Sequence, residues 1–313
     1  MFFNASARNR TGILMKRLVL FVALLAACFA WANPAQQKML GAEYDYVACN
    51  AQFAHDYVAM KDNCALVHEV PVMDSSGYLR RIDDALSDAQ GALNDSDGIG
   101  FGAAMWTART EMLALGLATV GDAFQNKSVG FFNCVQNRTA PLKEDLDTCR
   151  ASAFDKGKEA AHEYLADELD EGNGEVAGLQ AMGADTMRME RILEYGQELD
   201  GDINSTFDTH DTAQVDKLYQ KNTRLILLFR LEKMISVMNY AEPIIDAGNN
   251  GNKEQLLEKI ADLRGDTEGL ADYCAYSSDV GTGYALKNGE CWNDGLALMA
   301  RFNALQALYW AGR

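Results

Sequence analysis

Proline is nearly missing from this chain, four in 313 residues, and histidine is as scarce, also four. Few prolines leave long helices uninterrupted, and four imidazoles offer little material for a histidine-based active site. Basic residues are the minority, 28 Lys and Arg against 45 Asp and Glu. That balance argues against nucleic acid as a partner, because tracking a phosphate backbone needs a basic face. No CxxC, HxxxH or HExxH spacing occurs, nor a GxSxG elbow, a Walker A loop or a CxxCH segment. Zinc, serine-hydrolase, nucleotide and haem chemistry therefore lack their usual signatures. What remains is a chain 48% hydrophobic, enough to bury a sizeable core. Its length fits one large domain or two ordinary ones.

The longest apolar run follows Met15-Lys16-Arg17 and spans residues 18–32, ending in Ala30-Trp31-Ala32 before Asn33-Pro34. It is shorter than the roughly 20 residues of a membrane-spanning helix. A basic start, an apolar centre and a small-x-small exit read as a secretory signal peptide over 1–32. The expected product is exported, to a periplasm or the extracellular surface, and has no transmembrane segment in residues 33–313. Leu25-Ala26-Ala27-Cys28 offers the alternative of a lipoprotein anchor at Cys28. Cleavage after Ala32 removes Arg8, Arg10, Lys16 and Arg17 but no acid, taking the net charge from −17 to −21. Such a surface repels DNA and anionic lipid and attracts cations or a basic protein partner.

Six cysteines lie beyond the leader, Cys49, Cys64, Cys134, Cys149, Cys274 and Cys291, which taken two by two are fifteen, fifteen and seventeen residues apart. An even number in an exported chain predicts up to three disulfides, with 15 connectivities open. Nearest-neighbour pairing is the simplest expectation. Arg138-Thr139-Ala140-Pro141 supplies a reversal between the second pair, and Ser277-Ser278-Asp279 with Gly281-Thr282-Gly283 supplies a loop between the third. The first pair fits less well. If residues 49–64 form one helix, their Cα atoms stand about 22 Å apart, against the roughly 7 Å a disulfide spans. Either the chain turns near Lys61-Asp62-Asn63 or these two cysteines pair elsewhere.

Helical periodicity dominates and strand alternation is scarce. Helices are expected over about 35–62, 74–93, 102–125, 142–170, 176–200, 211–241, 252–274 and 291–311. Breaks fall at Val70-Pro71, at Asn94-Asp95-Ser96-Asp97-Gly98, at Glu171-Gly172-Asn173-Gly174 and at Pro243. Leu225-Ile226-Leu227-Leu228-Phe229 is apolar nearly all round, the mark of a central buried helix. The fold class is thus an all-α bundle of about eight helices stapled by up to three disulfides. Residues 33–313 form the helical domain, and Gly172–Gly178 is the best place to divide it into two lobes.

Candidate sites are few. Glu159-Ala-Ala-His162 puts a carboxylate and an imidazole on one helical face, and Glu163 and Asp167 extend the stripe. Its like charges at i,i+4 repel by a few tenths of a kcal/mol per pair, which a divalent metal would relieve; a solvated face is the plainer reading. Asp95-Ser-Asp97-Gly98 resembles the middle of a calcium loop but lacks the outer ligands. Glu171-Gly-Asn-Gly-Glu175 is a still looser candidate. Asp208-Thr-His210-Asp211 reads first as a helix cap, and His55-Asp56 and His68-Glu69 as adjacent pairs whose side chains diverge. Tyr273, Tyr276, Tyr284, Trp292, Phe302, Tyr309 and Trp310 are core aromatics or the lining of a pocket near the third cysteine pair.

The expected function is an exported, non-enzymatic helical binding or interaction protein with an acidic surface. A metal-assisted or carboxylate-based hydrolase using Glu159, His162 and Glu163 is the alternative. An inhibitor or immunity-type partner of a basic secreted enzyme is a third reading, resting on charge alone.

Overall fold

A computed structural model describes residues 34–125, 128–248, 251–277 and 284–311. The expected leader over 1–32, with Cys28, lies outside them. The described residues are all-helical: α1 (Pro34–Val67), α2 (Ser76–Asn94), α3 (Gly98–Gln125), α4 (Val129–Met182), α5 (Met187–Phe207), α6 (Thr212–Ala247), α7 (Lys253–Tyr273) and α8 (Tyr284–Ala311). No strand occurs among them. The helices gather into two compact units that divide inside α4, one ending at Ala161 and the other starting at His162.

In the N-terminal unit α1 and α4 run antiparallel, joined by two disulfides. Cys49 pairs with Cys149 and Cys64 with Cys134, at Cα separations of 5.8 and 5.9 Å. This corrects the nearest-neighbour expectation for four of the six cysteines. The physical reason is the one that made the Cys49–Cys64 loop doubtful: both lie in a single helix, α1, and Cys134 and Cys149 likewise share α4. Further contacts keep the same register. Lys156 Nζ meets Asp45 Oδ2 at 2.5 Å, Tyr46 and Phe154 meet edge to face at 5.5 Å, and Arg150 donates to Asn50 Oδ1. Helices α2 and α3 close the unit through a core of Leu40, Val47, Ala85, Ala89, Phe101, Met105 and Ala108.

Helix α4 is 54 residues long and is the largest departure from the expected boundaries. It continues through Pro141, where a reversal was expected. The ring removes the bond to the carbonyl of Asn137, and Asn137 is exposed, so water can take that carbonyl. It also continues past Gly172 and Gly174. Tertiary contact explains Gly172: a methyl there would lie 2.7 Å from Leu193 Cδ2 on α5, and one at Gly196 of α5 would lie 2.7 Å from Leu169 Cδ2. Each glycine seats the other helix's leucine. The true stop is Gly183, whose φ of +89° lies in the left-handed region. Gly183 N–H donates to Gln180 O at 2.9 Å and Ala184 N–H to Leu179 O at 3.0 Å, so the last turn is satisfied.

The C-terminal unit is organised by α6, as its apolar run predicts. Leu225, Leu227, Leu228, Leu231, Met234, Ile235 and Met238 are all buried. The helix passes Pro243 and ends at Ala247, beyond the expected stop. Its N-cap is Asp211, whose Oδ1 accepts from Ala213 N–H at 2.8 Å. Helices α7 and α8 are joined by the third disulfide, Cys274–Cys291, as expected. Beside it Arg224 is 1% exposed and reaches across from α6, donating Nε–H to Asn288 Oδ1 at 2.5 Å and Nη1–H to the Cys274 carbonyl at 2.7 Å. Asn288 returns a bond to the Gln220 carbonyl at 2.9 Å.

Candidate functional site

Because α4 does not break at residue 171, acids separated by the expected turn share one helix. Glu159, Glu163, Asp167, Glu171 and Glu175 recur at every fourth position, and neither Lys nor Arg occurs between Lys158 and Arg188. Four of these acids lie in the C-terminal unit, where Glu175 is paired with Lys233 of α6. Glu159, Asp167, Asp170 and Glu171 are exposed. Repeated i,i+4 acid pairs oppose the helix by a few tenths of a kcal/mol each, so packing on α5 and α6 has to hold the segment helical. Val176 and Leu179 do so, clustered with Met189 and Leu193.

His162 points toward α5. Its Nδ1 is 2.7 Å from Asp200 Oδ1 and its Nε2 is 3.3 Å from Asn204 Oδ1. The structure therefore brings His162 to two residues that spacing did not single out, both more than thirty positions away. Among the described residues no group of three or more His, Cys, Asp or Glu is arranged to hold a metal ion. Asp97 spends its Oδ1 on the Gly100 N–H at 3.0 Å, capping the start of α3, while Asp95 is exposed at the end of α2. Between them Ser96 adopts a φ of 57°. His55 pairs with Asp83 of α2 at 2.8 Å.

Three of the aromatics near the third disulfide have defined ring contacts. Tyr276 stacks on Tyr195 of α5 at 4.8 Å, Lys287 Nζ lies 4.5 Å over the Tyr273 ring, and Arg230 lies 5.9 Å over Trp292. Tyr273 donates its hydroxyl to Glu290 at 3.1 Å, which raises its pKa above the usual phenol value. The side chains of Tyr284 and Trp310 lie outside the description.

Two carboxyls of the C-terminal unit are perturbed. Burial raises Glu168 above the ordinary glutamate value, with Arg230 acting against it. Burial likewise raises Glu232; Arg188, whose Nε is 3.4 Å away, opposes the rise, and Asp272 and Glu268 add to it. A carboxyl raised in the native state holds a proton that the unfolded chain has already released. Its contribution is therefore full at low pH and is lost as pH rises from the unfolded value of 4.5 through the native one. Glu232→Gln should flatten that fall and leave the variant more stable than the parent at about pH 7. Urea midpoints at about pH 4 and about pH 7 check this; an unchanged pH slope would count against it.

The chain matches no protein-family model, no curated protein and no solved structure.

Proposed function

We propose that this chain is an exported helical binding protein that docks a basic protein partner along the exposed acids of α4. The observation that carries the reading is the base-free segment from Glu159 to Met187, with Asp167, Asp170 and Glu171 exposed on α4. An overall charge of −17 works in the same direction, steering positively charged surfaces toward the molecule. Three disulfides are compatible with an oxidising, exported setting. No described helix is long and apolar enough to cross a membrane.

The test is zero-length carbodiimide coupling, which joins carboxylates to a partner's lysines. It is run on the tagged protein in the exported fraction of its source. A discrete adduct is expected that fades with added salt and drops about tenfold in the triple variant Asp167→Asn, Asp170→Asn, Glu171→Gln. An adduct that forms equally with the triple variant would remove α4 as the docking face.

A second reading, a carboxylate-based hydrolase, is favoured by one contact. Asp200 against His162 Nδ1 is the arrangement that orients an imidazole as a general base. It requires ester or amide hydrolysis that His162→Ala abolishes while the fold stays intact.

A further inference from the structure

The chain has 13 methionines. Met1 and Met15 lie outside the described residues, and of the others only Met182 and Met187 are exposed, at 52 and 74%. The two flank one turn of the C-terminal unit, Met182 as the last residue of α4 and Met187 as the first of α5. Just beyond them Met189 is fully buried, clustered with Val176, Leu179 and Leu193. Met234 and Met238 of α6 are buried as well. Thioethers a few residues apart thus meet opposite surroundings.

The turn between the exposed pair is held without either sulfur. Ser236 of α6 donates its hydroxyl to the Asp185 carbonyl at 2.7 Å, and Met187 N–H donates to Asp185 Oδ1 at 3.1 Å. Thr186 is buried inside the turn; its hydroxyl donates to Glu190 Oε1 at 2.7 Å and accepts from Gln180 Nε2 at 3.0 Å. Gly183 supplies the left-handed residue that ends α4. A change confined to the two sulfurs therefore leaves these bonds in place.

We infer that Met182 and Met187 form a paired site of reversible oxidation by peroxide. The thioether sulfur attacks one oxygen of hydrogen peroxide, so an S–O bond forms as the O–O bond breaks. Sulfur gives up two electrons, and the proton left on the transferred oxygen goes to the departing hydroxide as water. The product is a sulfoxide, polar where the thioether was apolar. A side chain facing solvent accommodates that change. At Met189 the same group would enter a cluster of apolar side chains, where a polar atom without a bond is costly. Burial keeps the oxidant from that position. Return to the thioether consumes two thiols per sulfoxide, which become a disulfide while the oxygen leaves as water; the reductases that catalyse this need the side chain accessible. The site uses none of the α4 acids proposed for docking, so either reading can fail alone.

The experiment adds hydrogen peroxide to the folded, disulfide-bonded protein and follows each methionine by peptide mass spectrometry. Met182 and Met187 should gain oxygen at least about tenfold faster than Met189, Met234 and Met238, and ahead of every half-buried methionine. When these two alone carry oxygen, the circular dichroism spectrum and the urea midpoint should match those of untreated protein. The two methionine sulfoxide reductases, supplied with dithiothreitol, should then restore both thioethers. The double variant Met182→Leu, Met187→Leu should fold as the parent does and lack the fast phase of oxygen uptake. Uptake at Met182 and Met187 no faster than at Met189 overturns the proposal, as does a fast phase that survives in the leucine variant. A urea midpoint that falls once only these two are oxidised overturns it too, and so do sulfoxides that the reductases leave in place.

Discussion

A protein lacking both α1–α4 disulfides, made by alanine at Cys49, Cys64, Cys134 and Cys149, is expected to lose the N-terminal unit's cooperative fold at physiological temperature. Either bridge alone should preserve it. The reason lies in how the two are nested. With one rung present, the other closes a circuit of only about 30 residues, worth about 3–4 kcal/mol in the chain-entropy account. With both gone, the chain regains the freedom of the whole loop between Cys49 and Cys149, 100 residues apart, as well. The total then approaches about 8 kcal/mol, comparable with the entire stability of an ordinary domain, about 5–15 kcal/mol. Thermal melts followed by circular dichroism give the comparison. A quadruple variant melting within a few degrees of the parent would show that side-chain packing alone holds the pair. Partial reduction should open Cys49–Cys149 first, because Cys149 is exposed whereas Cys64 is fully buried.

The second large effect is expected at Arg224. Replacing it with methionine keeps much of the volume but removes two donors at once. The Cys274 carbonyl and the Asn288 amide are then left inside the unit without them. Stranding buried polar groups costs about 1–3 kcal/mol each, so the C-terminal unit should lose about 3–5 kcal/mol, or on the order of 10 °C in its melting temperature. Arg224→Lys should recover little, because one ammonium cannot reproduce a guanidinium fork directed at two acceptors. A methionine variant as stable as the parent would mean that desolvating the guanidinium had cancelled its bonds.

Helix existence was legible from the sequence, and helix ends were not. Apolar periodicity located all eight elements, and the all-round apolar stretch of α6 identified the buried helix of its unit. The errors cluster where local propensity and tertiary contact disagree. Pro141, Gly172 and Pro243 all read as breaks, yet α4 and α6 continue through them. Gly172 in particular is a glycine for Leu193, a contact between residues on different helices. No window of sequence contains it.

The cysteines were legible in a way that went unread. Two intervals of fifteen, one in each of two long helices, are what an antiparallel pair with two rungs requires. Proximity along the chain suggested the wrong partners, although the pitch of a helix already made one of them untenable. The imidazole at position 162 illustrates the opposite case. Its helix-mates Glu159 and Glu163 are visible by spacing, whereas Asp200 and Asn204 reach it from α5, and nothing in the local pattern announces them. The exposed apolar side chains where α1 ends and α4 begins are invisible for the same reason. Leu66, Val67, Val129 and Phe132 look like core residues until their neighbours are seen to fill the core instead.

Placing Cys49 and Cys64 in one helix also bears on how the two bridges can form. A chain grows from its N-terminus, so Cys49 and Cys64 are made seventy residues or more before either of their partners. While they wait, the thiol nearest to each is the other. A coiled nascent segment would let them join, and a later exchange would then have to undo that bond. A segment already helical keeps them about 22 Å apart, beyond the reach of any oxidant that must bring two sulfurs together. If α1 becomes helical before α4 is made, its geometry alone would keep the two thiols apart until the matching pair arrives.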